Sequence, residues 1–108
     1  MTAIRSVVIP VADLAAAKAV YTALYGNPHT DEAYYVGYSV DGFEVGLNPH
    51  GDVAEGPVVF TDVDDLDAVR TRLLAAGAVE RSAPREVAPG VRVCTLSDPN
   101  GNAFGLRG

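Results

Sequence analysis

Few side chains in this sequence could do chemistry, and they are scattered. There is one cysteine, Cys94, and two histidines, His29 and His50. Cys94 lies in the strand-like stretch "VRVCTLS" with no histidine near it in sequence, which predicts a buried, inert thiol. Each histidine follows Asn-Pro, in "GNPH" and "LNPH". Asn-Pro marks a turn, so two exposed loop histidines are expected. Two imidazoles alone would leave a metal site short of donors, and whether they bind anything stays open. Glu44 and Tyr35 are the other candidates. On an open strand face Glu44 is a solvated carboxylate. In an apolar cleft its pKa would rise, and it could act as a base or hold a cation. Tyr35 either packs or contacts a ligand, as aromatic pocket walls do. Arg92 is expected to be exposed, with an anion contact as the alternative. No nucleophile elbow, P-loop or dinucleotide fingerprint is present.

The elements that must position these residues are written twice. "SVVIPVADLAAAKAVYTALYG" and "VVFTDVDDLDAVRTRLLAAG" each begin with an apolar, β-branched strand, meet an Asp-Leu pair, and run on to a glycine. Asp13 and Asp65 are natural helix N-caps. Leu14, Ala17, Tyr21 and Leu24 recur at helical spacing, and Leu66, Val69, Leu73 and Ala76 repeat that stripe. Gly26 and Gly77 suit the C′ position. Both halves end in Gly-Leu, at Gly46-Leu47 and Gly105-Leu106. "YYVGYSVDGFEVGLNP" predicts a hairpin around Asp41-Gly42. "VRVCTLSDPNGNAFGLR" predicts two strands around a longer Asp-Pro-Asn-Gly-Asn loop. "RSAPREVAPG" is expected to be an insertion between helix and hairpin. The expected organisation is module one at residues 1–49, a linker at 50–57 and module two at 58–108. Each module is strand, helix, then strands. This predicts an α+β fold: two βαβββ modules in tandem, forming a curved mixed sheet around a cleft, with helices on the outer face.

Strand alternation predicts the cleft wall. In the first hairpin Tyr35, Gly37, Ser39, Glu44, Gly46 and Asn48 share one face. Val36, Tyr38, Val40, Phe43, Val45 and Leu47 share the other, which should pack under the helix. Ser6, Val8, Val58, Phe60 and Ala103 are expected to look inward as well.

The repeat, the early "VADLAAAKAVY", the central "FTDVDDLDAV" and the terminal "DPNGNAFGL" resemble the vicinal oxygen chelate superfamily. That group includes glyoxalase I, extradiol dioxygenases, and fosfomycin and bleomycin resistance proteins. The resemblance covers essentially the whole chain. It implies metal ligands at the first strand of each module, commonly His or Gln, and near the end of each last strand, commonly Glu. Those positions fall here on Ser6, Val58, Gly46 and Gly105. Val58 and the two glycines offer no donor, and serine is a poor sole anchor. No metal and no other cofactor is therefore expected. The glycines would widen the cavity. The resemblance also implies a homodimer.

Net charge is −6, with one lysine and seven arginines. This disfavours nucleic acid as a partner and mildly favours a basic ligand. No apolar run is long enough to cross a membrane, and "MTAIRSVVIP" lacks a signal-peptide pattern. With a single cysteine, a cytoplasmic location is the simplest reading. The expected function is metal-free binding or sequestration of a small organic ligand, with Ser6, Val8, Tyr35, Ser39, Glu44, Gly46, Asn48, Val58, Phe60 and Gly105 around it and no catalytic residue. The alternatives are a metal-dependent lyase or dioxygenase, a metal-free acid–base enzyme using Glu44 or Tyr35, and a protein–protein module whose cleft is filled by its own side chains.

Overall fold

The computed structural model describes residues 2–108. The fold is α+β and falls into two compact units, Ser6–Val58 and Val59–Gly108, the latter joined by the chain start up to Arg5. Each is a βαβββ module.

The first unit runs β1 (Ala3–Pro10), α1 (Leu14–Tyr25), β2 (Thr30–Glu32), β3 (Tyr35–Val40) and β4 (Phe43–Asn48). Its strand order is β2-β3-β4-β1. The hairpin strands are antiparallel, while β1 runs parallel to β4. Asp41 and Gly42 both take positive φ, 53° and 80°, as a type I′ turn requires. Asp13 caps α1 by accepting from the Ala16 N–H at 3.0 Å. The inner face of the hairpin is as the alternation predicts. Val36, Tyr38, Val45 and Leu47 are buried, and Leu14, Ala17 and Tyr21 of α1 pack against them. The buried Tyr38 hydroxyl donates to the Lys18 carbonyl at 3.2 Å, leaving it to accept from Thr22 Oγ1 at 2.8 Å. Satisfying that group is what makes its burial affordable in free energy.

Leu24 departs from the expected stripe. It is 66% exposed, as Val20 is at 64%. Leu24 lies at the edge of the stripe, and in the last turn it is Tyr25 and Thr22 that meet the core, the Tyr25 ring centroid 5.8 Å from that of Tyr38.

The second unit runs β5 (Val58–Asp62), α2 (Leu66–Ala75), β6 (Val79–Ala88), β7 (Val91–Ser97) and β8 (Ala103–Arg107), in the order β5-β8-β7-β6. Asp65 caps α2 through the Ala68 N–H. Cys94, Leu96, Leu106, Val63 and Leu66 form its core, with Val69 and Leu73 against it. Cys94 is buried and unpaired, and burial pushes its thiol pKa up. The Asp98 carboxylate holds the "DPNGN" loop by accepting from the Asn100 and Asn102 N–H groups, and Gly101 takes φ 90°.

"RSAPREVAPG" is not a loose insertion. It forms most of β6, a strand that keeps pace with β7 only by three shifts of register. The extra residues are absorbed as irregularities, which a ladder tolerates one residue at a time. In the expected linker, Val53–Glu55 makes one 3₁₀ turn capped by Asp52.

Candidate functional site

The site begins with two missing side chains. Gly37 on β3 and Gly46 on β4 are directly paired, so the sheet carries a bare strip there. Two rings lie on it. A Cβ at Gly46 would overlap the Tyr35 phenol, standing 2.6 Å from its Cζ. A Cβ at Gly37 would stand 2.9 Å from Tyr35 Cε2 and 3.0 Å from His29 Cε1. Only glycine lets both rings settle on the backbone.

The rings converge on Glu44. The Tyr35 hydroxyl donates to Glu44 Oε2. His29 Nε2 lies 3.2 Å from Glu44 Oε1, and His29 Nδ1 lies 2.8 Å from Thr30 Oγ1. Nε2–H can donate to the carboxylate while Nδ1 shares a hydrogen bond with the threonine hydroxyl, its direction set by the tautomer. The Tyr35 phenol resists ionisation, its pKa raised far above 10.0 first by burial, then by its hydrogen bond to Glu44 and the charge beside it. The cluster is reachable, since His29 and Glu44 keep 42% and 39% of their side chains exposed.

His29 owes its place to β2. Its backbone N–H donates to the Gly37 carbonyl at 2.9 Å, extending the β2–β3 pairing by one residue. His29 is exposed and outside the strands, as expected of a loop histidine, but its backbone is tied to the sheet edge. The signal was thin. "TDE" is polar and three residues long, with none of the β-branched alternation that marks a strand.

The remaining candidates are distributed as follows. Ser39 is exposed and pairs with Glu44 across the hairpin. Ser6 pairs with Glu44 on its other side and is 8% exposed. Val8 pairs with Gly46. Asn48 is drawn away: its Oδ1 accepts from the His50 N–H at 2.9 Å, a turn contact. Val58 is buried at 4% exposure.

Phe60 and Gly105 belong to the second unit and repeat the device by another route. They are register partners on β5 and β8. A Cβ at Gly105 would overlap the Phe60 ring, standing 2.8 Å from its Cζ. The two glycines were expected to widen a cavity. Instead an aromatic ring of the same unit occupies each vacated space. Tyr35 reaches Gly46 from the neighbouring antiparallel strand, and Phe60 reaches Gly105 from the neighbouring parallel one.

These positions do not fit the divalent metal that the resemblance implies. Among Ser6, Gly46, Val58 and Gly105 the one side-chain donor is a serine hydroxyl, and rings fill the glycine spaces. Among the described residues, no three His, Cys, Asp or Glu side chains are grouped to hold a metal ion. No helix among them is long and apolar enough to cross a membrane.

The model of the glyoxalase-like domain family matches residues 6–107. No curated protein matches. Among solved structures, a glyoxalase/bleomycin resistance protein/dioxygenase superfamily member from Vibrio splendidus 12B01 is 16% identical, with TM-score 0.74, over 97% of this chain and 98% of that one. The Mn(II)-bound glyoxalase from Novosphingobium aromaticivorans is 25% identical, with TM-score 0.69, over 96% of this chain but 38% of that one. Methylmalonyl-CoA epimerase from Mycobacterium tuberculosis is 21% identical, with TM-score 0.64, over 96% of this chain and 85% of that one.

Proposed function

This chain belongs to the glyoxalase-like domain family, and we propose that it binds a small organic molecule without a metal. One observation carries the reading. At both last-strand positions where related enzymes would present a carboxylate, this chain has glycine with an aromatic ring over it. Loss of the donor and filling of the space occur together, twice, by two different residues. A chain that had merely lost one ligand would retain the room.

The same rings raise the alternative of a protein–protein module with no ligand. Glu44 and His29 favour a ligand instead. They are exposed, polar and held in a fixed geometry by Tyr35 and Thr30. A surface kept only for its fold has no need of such a network. The site residues of this reading are Tyr35, Glu44, His29, Ser39 and the glycine strip. Cytoplasmic residence and homodimerisation belong to the same proposal, and a monomeric mass in solution would remove the latter.

The test has two parts. Protein purified without a metal-affinity tag is analysed for Zn, Ni, Fe and Mn, and its melting temperature is followed with and without chelator. Sub-stoichiometric metal and an unchanged melt are expected. A stoichiometric metal, or a melt lowered by chelator, would overturn the reading in favour of a metal-dependent lyase or dioxygenase. A thermal-shift panel of small organic molecules should then find stabilising compounds. A panel without any would leave the protein–protein module standing.

A further inference from the structure

The chain's charge is not shared between its units. Residues 6–58 hold seven of the fourteen acidic residues against Lys18 alone, and so carry the whole net charge of −6. The rest of the chain balances seven acidic residues with seven arginines. The pairing follows the count. In the second unit Arg70, Arg92 and Arg107 meet Glu80, Asp67 and Asp62. In the first, Lys18 lies 2.5 Å from Asp31. The groups that meet Glu44 include no lysine or arginine. Its partners there are a phenol and an imidazole.

We infer that Glu44, gripped between Tyr35 and His29, is the seat of an organic cation: an ammonium, amidinium or guanidinium group on the small ligand. The inference rests on the small-molecule reading above and names its ligand class. An ionised carboxylate offers about four lone-pair positions. Tyr35 and His29 use two, one on each oxygen. Two remain, one per oxygen, which suits the paired N–H groups of an amidinium or guanidinium. The partly exposed Tyr35 ring adds an aromatic surface that attracts cations. The two clamping bonds also fix the carboxylate before the ligand arrives, so little ordering is left to do on binding. The unbalanced charge of the unit draws cations towards it.

The experiment uses the whole chain and four probes of nearly one shape: benzamidine and benzylammonium as cations, benzamide as the neutral isostere, benzoate as the anion. Binding is followed at low ionic strength by calorimetry and by backbone amide NMR. Benzamidine should bind about tenfold tighter than benzamide, the ratio expected of one charge-assisted hydrogen-bonded pair, and added salt should weaken it. Amide shifts should centre on residues 29–46. Glu44→Gln should abolish the preference. Asp41→Asn removes the same charge at the hairpin turn but none of the cluster's hydrogen bonds, and should reduce the preference far less than Glu44→Gln does. The wild-type shift map needs no variant, so a poorly folded Glu44→Gln protein does not rescue the idea. Equal binding of benzamide, preference for benzoate, shifts centred outside residues 29–46, or cation preference that survives in Glu44→Gln would each overturn it. So would displacement of the probes by Zn²⁺ at stoichiometric concentration. Neutral compounds that bind where cations do not would sink this inference and leave small-molecule binding standing. A panel in which nothing binds would sink both.

Discussion

Gly105→Ala tests whether the Phe60 ring fills the vacated ligand position. Gly105 does not have positive φ, so alanine meets no backbone penalty there. The whole cost is steric. The new methyl would overlap the Phe60 ring, with Cζ 2.8 Å away. Real Cβ atoms do not approach carbon this closely, so the ring must move. Gly105 is itself buried on β8, which leaves the strand little freedom to yield. Overpacking of this kind costs about 1–3 kcal/mol. For a domain of this size that lowers the melting temperature by roughly 4–8 °C per kcal/mol. Phe60→Val removes the ring while keeping a β-branched residue on β5, and on its own should also destabilise. The decisive quantity is the double variant. If ring and methyl compete for one space, Gly105→Ala should cost far less once the ring is gone, with a coupling of about 1–3 kcal/mol. Denaturant unfolding of the four proteins gives that number. Additivity within about 0.5 kcal/mol would mean that the ring does not occupy the position. The case for a filled ligand site in the second unit would then fail.

Two further outcomes are expected. Tyr35 should ionise well above the ordinary tyrosine range, because burial and the Glu44 carboxylate both disfavour the phenolate. Its contribution to stability is therefore present below about pH 10 and lost as pH rises beyond it. The wild-type minus Tyr35→Phe difference in tyrosinate absorbance should show this late titration, and a difference curve in the ordinary range would refute the clamp. Leu24→Ala should change stability by no more than about 0.5 kcal/mol, as at other exposed sites. Leu73→Ala, at the place in the packed stripe of α2 that Tyr21 holds in α1, should cost about 2 kcal/mol or more by chemical denaturation. Equal losses would show that α1 is covered where it is now described as bare.

What could be read from the sequence, and what could not, divides along physical lines. Helix caps at Asp13 and Asp65, the Asp41-Gly42 turn and the two faces of the first hairpin were all legible. Each depends on residues within a few positions of one another. Leu24 was misplaced because it lies at the edge of the helical stripe, and Tyr25, one residue on, takes the place against Tyr38. β6 was misplaced because Arg81, Ser82, Pro84 and Arg85 lack strand alternation, and the ladder against β7 supplies the order that propensity does not. His29 was missed for the most instructive reason. Its position depends on a pairing between a polar three-residue strand and a glycine eight residues on, which neither segment announces alone. The glycines were recognised as absences. That rings would fill them required knowing which neighbours lie within reach across the sheet.

The two units solve one geometric problem with different chemistry. Each has a glycine near the end of its last strand and an aromatic ring laid on it. In the second unit the ring is Phe60, which brings no hydrogen-bonding group, and Ala103 stands at the place that corresponds to Glu44. In the first the ring is Tyr35, whose hydroxyl holds a carboxylate that also meets a histidine. The unit with the polar ring is also the unit with all of the unbalanced charge. If the rings served only to fill space, phenylalanine would do at both places, since a partly buried hydroxyl adds desolvation cost unless it is bonded. Tyrosine stands where there is a carboxylate to orient. On the small-molecule reading proposed above, recognition falls to the first unit and the second is its apolar counterpart. Tyr35→Phe should therefore weaken cation binding more than it weakens the fold, whereas Phe60→Val should do the reverse.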